Sequence, residues 1–127
     1  MVTGPLTDVL IEDGKQLLLR LDQSGPPFDA ALWNYFSEME RWVLLVSVRN
    51  VSTLGPRVFY KTVQRHLLRE PKPRQLVLDD VQLAAPNAPV VAAVRVMIGS
   101  SPGWRGTRMT RNIVNGILLQ DCYVYRA

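Results

Sequence analysis

Proline and glycine cut this chain into short pieces, and the cuts constrain its fold more than any other feature. Gln23-Ser24-Gly25-Pro26-Pro27 breaks it once, Leu54-Gly55-Pro56 again, Pro71 a third time, and Ala85-Pro86-Asn87-Ala88-Pro89 a fourth. Proline has no backbone donor and restricts the residue before it, so each element after a break starts afresh. Residues 99–107, with three glycines and a proline, read as loop. At 127 residues the chain is one domain's worth, able to bury roughly two-thirds of its unfolded surface. Apolar residues at 47% and charged residues at 20% exclude disorder, collagen and coiled coil.

Between the breaks, local pattern predicts the elements. Residues 8–13 and 15–21 are apolar runs flanking Asp13-Gly14, the signature of a hairpin. Phe28, Leu32, Phe36 and Met39 recur at steps of four, four and three, and with Asp29 in the first turn they predict a helix over about 29–41. Residues 42–48 are apolar at both parities, which suits a buried central strand, with an extension of that helix as the alternative. Pro56 at a first helical position and Pro71 as a stop predict a second helix reaching about Glu70. Residues 74–84 and 90–98 read as strands joined by a turn-rich spacer, and 117–126 as a closing strand. The expected fold is a single α+β domain over 1–127, two helices packed on an antiparallel or mixed sheet. Three similar strings end at Asp13, Asp80 and Asp121, but their unequal separations exclude a solenoid or propeller; an Asp capping a turn explains them.

Charge is divided along the chain. Residues 1–48 carry three basic and seven acidic side chains, net −4, whereas 49–127 carry twelve basic and four acidic, net +8. Twelve arginines against three lysines favour groups that fork onto phosphate or carboxylate. An arginine-rich genome accounts for the same composition without a partner. The single cysteine, Cys122, excludes an intramolecular disulfide framework and multi-cysteine metal sites, and fits a reducing, cytoplasmic setting. The first ten residues lack the character of a secretory or transit signal. No apolar run approaches the roughly 20 residues needed to span a bilayer, so no membrane partner is expected.

Two patterns carry potential chemistry. Arg57, Lys61, Arg65 and Arg69 lie at successive steps of four in the second predicted helix and form one stripe, with Phe59, Val63 and Leu67 facing the core. Like charges at that spacing repel by roughly 0.2–0.5 kcal/mol per pair, so phosphates, acidic side chains or solvent must compensate. The second pattern is Trp104, Arg105, Arg108 and Arg111 in a glycine-rich stretch, able to stack on a base and fork onto phosphates. No phosphate-cradling Gly-x-x-x-x-Gly-Lys motif accompanies them.

Enzymatic chemistry has little to build on. His66 is the only histidine and sits at the edge of its helix's apolar face, a position that suits packing. Cys122 reads as core, and Asp79 and Asp80 would point to opposite faces of a strand. No catalytic residue, metal or cofactor is implied. The sequence therefore predicts a small non-enzymatic binding module presenting a basic helix face and an Arg/Gly/Trp loop to an anionic partner, most concretely RNA or DNA. The alternative is an assembly subunit whose acidic N-terminal half meets the basic half of a neighbour in head-to-tail oligomers.

Overall fold

A computed structural model describes residues 5–26, 28–48, 55–85, 87–98, 104, 106–109, 112–114, 117–119 and 121–127. Its first element is a helix, α1 (Asp8–Ser24), where the sequence predicted a hairpin. Thr7 starts it, its hydroxyl accepting the Leu10 N–H at 3.1 Å. Leu10, Leu17, Leu18 and Leu21 follow at helical spacing and are buried. Gly14 imitates a turn signal but answers to packing, because a Cβ there would lie 2.5 Å from the Tyr125 hydroxyl and 3.0 Å from Trp33 Nε1. Without a side chain at 14 the helix settles onto the sheet. Gly25, at φ 78°, ends it by donating its N–H to the Leu21 carbonyl.

The predicted helix over 29–41 is also overturned. Strands β1 (Ala30–Phe36) and β2 (Arg41–Ser47) pair antiparallel around residues 37–40, where Glu40 adopts φ 51°. The spacing of Phe28, Leu32, Phe36 and Met39 misleads because the intervening Ala30, Ala31 and Trp33 are apolar too. A strand covered on both faces is apolar at every position and contains any period. Phe28 packs on one side of the sheet, Leu32 and Phe36 on the other, and Met39 is 51% exposed. β2 is the buried strand expected over 42–48.

Helix α2 (Pro56–Leu67) begins with Pro56 in its first turn, as expected, and ends short of Glu70. A 3₁₀ turn (Leu78–Asp80) leads into β3 (Val81–Ala84), which pairs parallel to β2, so α2 is the crossover that parallel pairing requires. Only the last four residues of the predicted strand 74–84 therefore pair. Residues 90–98 are not a strand but belong to helix α3 (Pro89–Ile98). Burying Val91, Ala93 and Val94 outweighs the small helix penalty of β-branched residues. The chain finishes with β4 (Thr107–Met109), β5 (Asn112–Val114), β6 (Ile117–Leu119) and β7 (Cys122–Arg126), so 117–126 is two strands. β5 and β6 form a separate hairpin beside α3.

Among the described residues the main sheet has five strands in the order β3-β2-β1-β7-β4, antiparallel except for β2 with β3. α1 and α2 cover one face, burying Leu18, Leu21, Phe59 and Val63 against Ala31, Trp33, Leu44, Val46 and Tyr125. α3 covers the other over Ala30, Leu32, Val43, Leu45, Cys122 and Val124. The α+β class is as expected, with three helices described in place of two. Trp33 Nε1–H donates to the Tyr125 hydroxyl at 2.9 Å, and that hydroxyl donates to the Ile11 carbonyl at 2.6 Å, tying β1 and β7 to α1.

Candidate anion-binding face

α2 divides sharply. Phe59, Thr62, Val63 and His66 are buried, while Arg57, Lys61 and Arg65 are exposed at steps of four, and Arg69 is exposed in the turn that follows. The stripe is therefore real, though its last member lies outside the helix. Among the described residues none of these four cations pairs with a carboxylate. Arg65 makes one neutral contact, donating to Thr62 Oγ1 at 3.3 Å.

Other arginines are consumed by the fold. Arg20 of α1 donates to the carbonyls of His66 at 2.6 Å, Arg69 at 3.2 Å and Pro71 at 2.7 Å, satisfying acceptors that the end of α2 leaves open. Arg41 reaches both Asp79 and the fully buried Asp80, at 3.4 and 3.3 Å, and also bonds the Asp79 carbonyl. Arg126 forks onto Asp22 at 3.0 and 2.9 Å. The acidic N-terminal half is partly spent in the same way. Asp22 is taken by Arg126, and one oxygen of the buried Asp13 accepts the N–H groups of Arg74, Gln75 and Leu76.

Trp104 is held rather than free. Its ring meets Phe28 and Tyr125 edge to face, with centroids 5.8 and 6.2 Å apart, and the Arg126 guanidinium lies 5.1 Å from its centroid. About a third of its surface remains exposed, at 36%. Arg108 is exposed on β4, opposite Tyr123 of β7. Arg105 and Arg111 lie outside the described residues. α2 packs by β3 and α1, whereas β4 is the far edge of the sheet, so the stripe and Arg108 are not brought together. A partner touching both must cross about 19 Å, four strand spacings.

The aspartates do not behave as expected of a strand. Asp79 and Asp80 occupy the 3₁₀ turn and both face Arg41, while Asp121 precedes β7, with β1 and β2 lying between β7 and β3. No cluster of three metal-ligating side chains occurs among the described residues. Cys122 is fully buried, and burial with the nearby Asp121 charge pushes its thiol up to about 11. Among the described residues no helix is long and apolar enough to cross a membrane.

His66 holds the feature that sequence reasoning missed. It is only 7% exposed, and its Nε2 is buried without a partner. It lines an open hollow of about 360 Å³ together with Ser24, Gly25, Thr62, Arg65 and Arg69. Burial lowers its affinity for a proton, and the charges of Arg65, Arg20 and Arg69 act the same way against the opposing Gly25 bond. Two of its six lining residues, Ser24 and Gly25, come from the end of α1, which in the sequence looks only like a break. No protein-family model, curated protein or solved structure matches the chain.

Proposed function

We propose that this protein is a non-enzymatic module that binds a nucleic acid through the exposed face of α2, in a cytoplasmic setting. One observation carries the reading: Arg57, Lys61, Arg65 and Arg69 project from one side of the molecule without a carboxylate among the described residues. Arg20, Arg41 and Arg126 are each engaged by carbonyls or carboxylates of the fold, whereas the four cations of the stripe are grouped on one face without such partners among the described residues. A phosphate backbone answers it, because each contact releases a condensed counterion and removes the repulsion between neighbouring cations. Arg108 and the partly exposed Trp104 would extend the contact only for a ligand long enough to reach the other edge.

Binding of a labelled single-stranded oligonucleotide, measured from 50 to 200 mM salt, tests this. Four phosphate contacts on a single strand should give a log–log salt slope of about −2.8. The Arg65→Glu/Arg69→Glu protein should bind with a shallower slope and at least about tenfold more weakly at the low-salt end. Absence of binding at 50 mM salt would sink the reading. Salt-sensitive self-association without nucleic acid would favour head-to-tail assembly instead, for which the exposed Asp8, Glu12, Glu38 and Glu40 remain.

A further inference from the structure

The hollow beside His66 is more than an exposed charged surface needs. Its polar groups can be accounted for one by one. Ser24 Oγ donates to the Arg20 carbonyl, and Thr62 Oγ1 donates to the Val58 carbonyl while accepting from Arg65. His66 leaves Nε2 buried and unpartnered, which is uncommon for a buried polar atom. Arg65 keeps most of its donors, and Arg69 has no side-chain partner among the described residues. The charged groups acting on His66 are Arg65 and Arg69 beside it and Arg20 from α1; the nearby Asp22 is committed to Arg126, and Glu70 lies by Lys72. The result is a concave pocket whose charged lining residues are both arginines, with an orphaned nitrogen on the histidine of its wall.

We propose that this hollow binds a phosphate monoester, held between the guanidinium groups of Arg65 and Arg69, with His66 Nε2 as a third hydrogen-bond donor. The proposal rests on reading the α2 face as anion-binding and names the group it takes. A monoester approaches two negative charges near neutral pH, whereas each diester of a polymer backbone carries one. Two guanidinium groups match that second charge, each able to fork onto oxygens. Burial and the charges of Arg65, Arg20 and Arg69 lower the affinity of His66 for a proton. A dianion between Arg65 and Arg69 reverses the local field, and the imidazole takes up a proton that it donates to a phosphate oxygen. The 5′ end of a nucleic acid and a small phosphorylated metabolite both present this group.

The chain's one histidine makes the test direct. Its imidazole resonances are followed through a pH titration in inorganic phosphate and in chloride of equal ionic strength. The expected result is a midpoint raised by about one unit or more in phosphate, equivalent to roughly tenfold tighter phosphate binding below the midpoint than above it. An unmoved midpoint overturns the proposal. In Arg65→Gln/Arg69→Gln, altered only at exposed positions, the phosphate-induced rise should vanish; its persistence would overturn the proposal equally. If phosphate moves His66, an oligonucleotide with a 5′ phosphate is compared with its 5′-hydroxyl twin. Tighter binding of the first by about tenfold assigns the hollow to polymer ends, and equal binding assigns it to small phosphomonoesters. Oligonucleotide binding with an unmoved histidine leaves the α2 face standing and removes the hollow, whereas a moved histidine with no oligonucleotide binding does the reverse.

Discussion

Arg41 and Arg65 show two uses of one residue type. Arg41, at the start of β2, has its side chain only 12% exposed and closes on Asp79 and Asp80. Arg65, on the outer side of α2, extends into solvent with one neutral contact. The first is part of how the chain folds; the second contributes nothing evident to folding. The contrast extends along the chain, with Arg20 and Arg126 on the side of Arg41, and Arg57 and Arg69 on the side of Arg65. Net charge counts all of them alike, so it says little about which arginines a ligand would meet.

The contrast breaks first at Arg41. Arg41→Ala leaves the buried Asp80 carboxylate without its counter-charge and should cost about 3–5 kcal/mol, read as a lowered urea midpoint. A loss below about 1 kcal/mol would place Arg41 with the solvent-facing group. Asp13→Ala removes the acceptor for three backbone N–H groups and should cost about 1–3 kcal/mol by the same measurement. Unchanged stability would mean that water replaces the carboxylate in full.

His66 sharpens the comparison through pH. Its proton affinity is lower folded than unfolded, so the unfolded chain binds the proton more readily. The contribution of the neutral imidazole is then complete above the unfolded value near 6.5 and is lost as pH falls through the folded value. Stability of the parent should decline more steeply below pH 6.5 than that of His66→Gln, and parallel curves would contradict the assignment. The smallest effect on folding belongs to Arg65→Glu/Arg69→Glu, which should shift stability by less than about 0.5 kcal/mol as surface changes do. A larger loss would show that the stripe serves the fold.

The parts of this architecture legible in the sequence are those whose causes are local. α2 lies between Gly55-Pro56 and Pro71, and its Phe59, Val63 and cations repeat at helical spacing, so its period and limits agree. The local patterns of α1 and β1 each point to the other kind of element, for complementary reasons. Gly14 follows Asp13 like a turn residue, but its need for no side chain comes from Tyr125, 111 positions away. β1 displays a helical period because a strand buried on both faces is apolar at nearly every position, Asn34 being its one polar residue. Valine-rich α3 is helical because of where it packs. The cationic stripe was visible as spacing within one helix, whereas the hollow needs α1 and α2 to be set side by side, which no window of sequence contains.

The grip of Arg20 on the carbonyls of His66, Arg69 and Pro71 has a kinetic consequence. Helix ends ordinarily fray, exchanging their amide hydrogens through small local openings. Here the last turn of α2 is clamped from a neighbouring helix, so the amides of Leu68 and Arg69, bonded back to Gln64 and His66, should exchange only when Arg20 lets go. The end of α2 and the C-terminal half of α1 then open together as one unit, and a ligand gripping Arg65 and Arg69 would slow exchange in α1 as well as in α2.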